Sequence, residues 1–134
     1  MKHTVLAALL VSTMLISAPA QAQGPRVQQH LSGYACMGLN LTEDQLRDFS
    51  VLPPIYAAPS SSAARIGVAS ATVIVKDPPQ ITDGFEAVMH MDGRPGWVRA
   101  SVLVPWTNAS DPRTRCLPSM MSNGRPGFDY VRAR

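Results

Sequence analysis

The strongest constraint on the fold comes from residues 85–92, where successive side chains alternate between two faces with a period of two. Gly93-Arg94-Pro95-Gly96 follows with residues typical of turns, and Trp97-Val98-Arg99 then resembles a return strand. We therefore predict a β-hairpin whose first strand is half-buried. One face of that strand holds Phe85, Ala87, Met89 and Met91, and the other holds Glu86, Val88, His90 and Asp92.

Short apolar segments before the hairpin indicate further strands. The β-branched segment 71–75 predicts a strand that ends at Asp77-Pro78-Pro79, because proline cannot donate to a β-ladder. Shorter extended pieces are predicted at 55–57 and 65–68. Thr42 and Gln45 form a capping-box pattern, which predicts a short helix near 43–49 or a helical turn inside a loop. Short, closely spaced strands indicate an all-β fold, a small antiparallel barrel.

The GRPG motif of the hairpin occurs a second time, at Gly124–Gly127. It leads into Phe128–Val131, which could form a final strand, whereas residues 118–122 are predicted to be irregular and residues 23–32 to be a loose terminus. No alternating strand precedes the second copy. We interpret the pair as the same turn chemistry used twice, and not as a duplicated binding site.

The first 22 residues have the pattern of a secretory signal peptide. Lys2 provides a positive charge, residues 5–16 are mainly apolar, and small residues offer a cleavage site that we place after Ala22. The apolar run is about twelve residues, shorter than the ~20 that span a bilayer as a helix. We therefore predict a secreted or periplasmic protein without stable membrane insertion, comprising residues 23–134.

Two cysteines, Cys36 and Cys116, remain after the predicted cleavage. An even number of cysteines in an exported chain favours a disulfide, and the alternative is a free reactive thiol. The closed loop would hold about eighty residues, which in the chain-entropy model corresponds to ~4 kcal/mol of stabilisation.

The charges give little indication of a nucleic-acid partner. The whole chain has a formal net charge of +3 at pH 7, with 12 basic and 9 acidic residues spread along it. Binding to nucleic acid would require a denser basic patch, so no nucleic-acid partner is predicted. A mild cluster of arginines near the end of the chain comprises Arg113, Arg115, Arg125, Arg132 and Arg134.

Residues 50–106 resemble the bacterial SH3-like (SH3b, Src-homology-three) family. The most recognisable part is Gly96-Trp97-Val98 after a turn that contains glycine. The other matching segments are Ile55–Ser60 with Ala64–Gly67, Ala71–Val75, Gly84–Val88 with Gly93, and Val102-Leu103.

The resemblance implies a five-stranded, strongly bent barrel that acts as a binding module without a cofactor. Its expected ligand is a peptide, a cell-wall component or a protein. Residues 23–49 and 107–134 would then be N- and C-terminal extensions that the disulfide joins on the same domain, and we expect a monomer.

Aromatic side chains near the loops of such a barrel can form a groove for an extended peptide. The aromatic candidates are Tyr56, Phe85, Trp97 and Trp106, and packing in the core is the alternative, which we favour for Phe85 and Trp97. Arg94 and Arg99 flank the hairpin and could contact an acidic partner, with an ordinary solvated surface as the favoured alternative.

The sequence gives no catalytic constellation. His30 and His90 stand apart, no metal-ligand cluster is present, and no glycine loop for phosphate is found. We therefore predict no catalytic residue and no metal site. Besides the binding module, two alternatives remain: an accessory subunit or inhibitor that docks through the extensions, and a hydrolase, which is the least favoured.

Overall fold

The computed structural model of this 134-residue chain describes residues 7–18 and 24–134. Residues 7–18 are exposed and belong to no helix or strand. Lys2 and the predicted cleavage position after Ala22 lie outside the described residues. The remainder consists mainly of antiparallel strands, with one α-helical turn and one 3₁₀ turn, so the prediction of an all-β fold is confirmed.

Eleven strands are described. The two short helices are α1 (Glu43–Leu46) and a 3₁₀ turn at Ala100–Val102. The strands are β1 (Val27–His30), β2 (Tyr34–Leu39), β3 (Pro54–Tyr56), β4 (Arg65–Val68), β5 (Thr72–Lys76), β6 (Ile81–Thr82), β7 (Phe85–Met89), β8 (Pro95–Arg99), β9 (Leu103–Pro105), β10 (Thr114–Met121) and β11 (Pro126–Arg132).

The strands form a large and a small sheet. The large sheet has the order β4-β3-β8-β7-β5-β2-β9, and β6 also pairs with β7. The small sheet has the order β1-β10-β11. β2 lies between β5 and β9, so the large sheet draws on the segment that we assigned to the N-terminal extension as well as on residues 50–106.

The predicted hairpin is confirmed as β7 and β8, which pair from Phe85 opposite Arg99 to Met89 opposite Pro95. Its loop closes where the His90 N–H donates to the Arg94 carbonyl at 2.8 Å. Gly93 has a φ of 92°, a conformation that favours glycine. Pro95 and the following glycine begin β8 and are not part of the turn.

The second GRPG copy forms an equivalent turn between β10 and β11. The Met121 N–H donates to the Arg125 carbonyl at 2.9 Å, and Gly124 has a φ of 77°. The Asn123 side chain accepts from the backbone N–H of Arg125, as Asp92 does at the same position of the first turn. The prediction of one turn chemistry used twice is confirmed.

The small sheet corrects two predictions. Residues 118–122 are mostly in β10 instead of being irregular, and residues 27–30 form a strand instead of a loose terminus. Pro118 is tolerated because its carbonyl accepts from the Leu31 N–H, so its missing donor faces the β1 side and not the ladder with β11. A strand therefore does precede the second GRPG copy.

One apolar cluster forms the core of the large sheet. Strands from both halves of the sheet contribute to it, so the sheet curves around it. The predicted capping box is present, since Gln45 N donates to Thr42 Oγ1 and Thr42 N donates to Gln45 Oε1. The buried cluster comprises Leu39, Leu52, Ile55, Ala69, Val73, Val75, Val88 and Val98, and Leu41 and Leu46 beside α1 pack against it.

The prediction of a half-buried first hairpin strand is wrong, because four successive residues of β7, 85–88, are buried. Val88 belongs to the core cluster, whereas Phe85 is covered on the opposite face by Tyr56 and Arg99. Glu86 is only 7% exposed, and its Oε2 has no hydrogen-bond partner within the described residues. The prediction was wrong because a charged residue such as Glu86 normally indicates a face that is exposed to solvent.

The predicted disulfide between Cys36 and Cys116 is confirmed, with a Cα–Cα distance of 6.0 Å. Cys36 lies in β2 and Cys116 in β10. The bond therefore joins the large sheet to the small sheet, and places the two flanks of the chain side by side.

Candidate functional site

Four of the six predicted binding residues share one face of the large sheet. Trp97 lies directly opposite Tyr56 on β3, and Arg99 lies directly opposite Phe85 on β7. Opposed residues in a sheet point to the same face, and so do residues two apart on one strand. The four side chains therefore lie together on the side of the sheet opposite to the apolar core cluster.

Within this group, two buried rings support two guanidinium groups. Tyr56 and Phe85 are each 5% exposed and meet edge to face, with ring centroids 5.7 Å apart. Arg99 Cζ lies 5.1 Å from the Phe85 centroid, and Arg65 Cζ lies 5.8 Å from the Tyr56 centroid. These are cation–π distances, so the rings hold the cations in place. Trp97 is half-buried, so part of its indole is open to solvent.

A cleft of about 230 Å³ opens beside these residues. We call it the Tyr56 cleft. Tyr56 forms part of its wall, and Arg99 is its one charged lining residue, whereas Phe85 and Trp97 do not line it. The complete lining is Leu41, Val51, Pro53, Pro54, Tyr56, Arg99 and Val102.

Arg94 is separate from these four predicted binding residues. Its Nε lies 2.7 Å from Asp92 Oδ2, and a terminal nitrogen donates to the Ile66 carbonyl on β4 at 3.1 Å. The backbone N–H of Arg94, with further help from its side chain and from His90, lowers the pKa of Asp92 to about 2. Arg94 therefore fastens the hairpin loop to the edge strand β4 and does not face the Tyr56 cleft.

A second cleft, of about 220 Å³, provides an internal comparison. Its lining includes Arg47 and Phe49, of which Phe49 is 79% exposed. No cation–π contact among the described residues fixes Arg47, in contrast to Arg99. The two clefts thus have similar size and one arginine each, but only the Tyr56 cleft has its cation held by aromatic rings.

His30 lies in a strand, β1, and not in the loose terminus that we predicted for residues 23–32. Its Nε2 lies 2.9 Å from Asp129 Oδ2 on β11. Ser119 is opposite His30, yet it is completely buried and its hydroxyl donates to the Leu117 carbonyl. That hydroxyl is therefore not accessible as a nucleophile.

The sequence alternation of residues 85–92 put His90 on a strand face with Glu86 and Asp92, but His90 follows the end of β7 and packs over Gly67. Its Nδ1 lies 2.9 Å from Asp92 Oδ1. Within residues 7–18 and 24–134, no three His, Cys, Asp or Glu side chains are grouped as metal ligands would be.

Several residues of the site were not predicted from the sequence. Pro53 and Pro54 were not singled out as binding residues, and Arg65 was interpreted only as the start of the extended piece at 65–68. Their signal was their position, because the prolines directly precede Ile55-Tyr56 and Arg65 follows the loop after it. The Arg65–Tyr56 contact depends on the pairing of β3 with β4.

Comparison with protein-family models, with curated proteins and with solved structures gives no match for this chain. In the part of the chain that the structure describes, no helix has both the length and the apolar character needed to cross a membrane. The site must therefore be interpreted from its own geometry.

Proposed function

We propose that this protein is an exported binding module of the periplasm or cell envelope, and that the Tyr56 cleft holds an extended peptide segment of its ligand. Export is supported by the signal-peptide pattern of residues 1–22 and by the disulfide, which is typical of oxidising compartments. A binding role also agrees with the resemblance of residues 50–106 to bacterial SH3-like domains.

One observation carries the proposal: the Arg99 guanidinium lies over the Phe85 ring at an otherwise apolar cleft. A cation that packing already holds in place loses less conformational entropy when a ligand binds. Its donors are arranged to meet a carboxylate or a peptide carbonyl. The apolar walls, formed partly by Pro53 and Pro54, offer space for a neighbouring side chain of the same ligand.

The size of the cleft favours a peptide over a small metabolite. Pockets that enclose small ligands usually measure ~300–1,000 Å³, and this cleft measures about 230 Å³. It fits one or two side chains of a segment that continues across the surface. The ligand class that we propose is therefore an extended peptide with an apolar residue next to a carboxylate, either in a protein or in the stem peptides of the cell wall.

The test is binding of synthetic stem peptides followed by backbone chemical shifts, together with retention on isolated sacculi. We expect shifts at Tyr56, Arg99 and Val102, and about tenfold weaker binding for Arg99→Gln, because a charge-assisted hydrogen bond is lost. Arg47→Gln is the matched control, since it removes the same charge beside the comparison cleft. Shifts absent from the Tyr56 cleft, or equal losses for both variants, would refute this assignment.

A further inference from the structure

A third cleft, of about 280 Å³, lies between the two sheets, and we call it the inter-sheet cleft. The disulfide contributes to its lining, together with Trp106 and one end of β10. The complete lining is Ala35, Cys36, Trp106, Thr114, Arg115, Cys116 and Leu117. None of these residues lines the Tyr56 cleft, so the two are separate places on the surface.

Among the residues that the structure describes, one edge of β10 has no strand paired to it along this cleft. β1 pairs with β10 only at residues 119–121, and Leu31 adds the last bond, to the Pro118 carbonyl. Backbone groups of alternate residues in an antiparallel strand point to the same side, so Cys116 and Thr114 face the side that Pro118 faces. The N–H of Thr114 is already bonded to the Asp111 carbonyl. Beyond the end of β1, this edge of β10 therefore presents three backbone groups, the N–H and C=O of Cys116 and the C=O of Thr114.

An aromatic wall is fixed next to this edge. The Trp106 indole N–H donates to Thr72 Oγ1 at 3.3 Å, and its ring stacks on Tyr130 with centroids 5.7 Å apart and planes 21° apart. Phe128 extends the group, 6.3 Å from Tyr130. Tyr130 is nevertheless 54% exposed. A side chain that enters the cleft would therefore contact an aromatic surface that is already held in place and loses little conformational entropy on binding.

The charge around this end of the small sheet is positive. Both nearby acids are already engaged, Asp111 with Arg113 and Arg132, and Asp129 with His30. The Arg113 backbone N–H, followed by the side chains of Arg132 and Arg113, lowers the pKa of Asp111 by hydrogen bonding to its carboxylate. Because Asp111 and Asp129 are already paired, they do not offset the charge of the remaining arginines.

Arg115 is the cation that this arrangement leaves for a ligand. It is exposed, it lines the cleft, and none of the ion pairs within the described residues involves it. Side chains alternate along β10, so Arg115 projects from the face opposite to that of Cys116. A strand added beside β10 would place successive side chains alternately toward the aromatic wall and toward Arg115.

We propose that the inter-sheet cleft binds an acidic, extended polypeptide segment, which adds a strand to the open edge of β10 and continues the line of β1. Its main chain pairs with Cys116, an apolar side chain enters the cleft against Trp106, and an adjacent acidic side chain meets Arg115. Addition of a strand to an unpaired edge is an established mode of peptide recognition. The open backbone groups favour a polypeptide over an anionic polymer, which could use only the charge.

The probe is an acetylated, amidated heptapeptide that alternates glutamate and valine, titrated into the full oxidised protein while the Trp106 indole and Cys116 amide shifts are followed. We expect both signals to move, and the affinity to fall about tenfold in Arg115→Gln. Arg125→Gln, which removes an equal charge at the far end of the small sheet, should change the affinity less than twofold. Arg99→Gln should leave this binding unchanged, which separates it from the proposed function.

Three further ligands make the test decisive. A lysine–valine peptide tests the charge, the glutamate–valine peptide with alternate N-methylated amides tests the backbone pairing, and inorganic polyphosphate tests an anion without a peptide chain. We expect each to bind at least tenfold more weakly. Equal binding of the methylated peptide or of polyphosphate, equal losses in the two arginine variants, or no shift at Cys116 would overturn the proposal.

Discussion

Replacing Gly96 by alanine tests how tightly the first GRPG copy is packed. A Cβ at this position would overlap Cγ2 of Ile55 and would lie 3.1 Å from Cδ1 of Ile66 and 3.3 Å from the carbonyl oxygen of Tyr56. Ile55 is 3% exposed in the core, and a backbone carbonyl cannot rotate away. Something in β3 must therefore move, which places the cost in the strand that also carries Tyr56.

Gly127→Ala is the matched control, because Gly127 occupies the same position of the second copy. Its three nearest atoms all belong to the side chain of Met121, which is flexible and half-buried and can turn aside. Overpacking costs about 1–3 kcal/mol, whereas replacing glycine by alanine stabilises by about 0.4–1 kcal/mol through the unfolded chain. We expect Gly96→Ala to lower the free energy of unfolding by about 1–2 kcal/mol, and Gly127→Ala to change it by less than about 0.5 kcal/mol.

Urea unfolding of both variants and the parent, with the disulfide intact, measures the difference. With the urea dependence usual for small domains, the midpoint of Gly96→Ala should fall by about 1 M. The midpoint of Gly127→Ala should remain near that of the parent. Equal losses in the two variants, or a larger loss for Gly127→Ala, would show that backbone conformation and not packing around the glycine decides the result.

Two further changes test the stability of the fold. Cys36→Ser combined with Cys116→Ser should lower the free energy of unfolding by about 4 kcal/mol in urea titrations, since the bond spans 80 positions, and a loss below about 1 kcal/mol would contradict the loop-closure argument. Burial raises the pKa of Glu86 above its ordinary value of 4.5, so the folded state binds this proton more tightly than the unfolded chain, and stability declines as the pH rises from 4.5 through the folded-state pKa. Glu86→Gln should remove that part of the decline. The unfolding midpoints of the parent and the variant should then agree at acid pH, and the variant should be the more stable protein at pH 7. Parallel pH profiles of the two proteins would contradict this assignment to Glu86.

The parts of the fold that local chemistry decides were predictable. The β7–β8 hairpin follows from alternation and a glycine turn, and the cap of α1 follows from Thr42 and Gln45. The Cys36–Cys116 bond follows from the number of cysteines and from the predicted export of the chain. Each of these signals lies within a few residues or depends on a pair without competitors.

The small sheet was not predictable in the same way. Residues 27–30, Val-Gln-Gln-His, are all exposed and have no apolar face, and they form a strand only because β10 supplies a partner. The candidate site shows the same division. From the sequence Arg94 and Arg99 were equivalent, and only the loop bonds of one and the position of the other over Phe85 distinguish them.

The position of β1 has a consequence for the order in which the molecule assembles. Arg26 and Ser122, which hydrogen-bond beside β1 and β10, are 96 positions apart, and the chain between them builds the whole large sheet. Contacts of such long range form slowly, so the pairing of β1 with β10 should form last, after the large sheet has brought the flanks together. A chain cut short after residue 113 would lose β10 and β11 at one end, and would also leave β1 without a partner and Cys36 as a free thiol at the other.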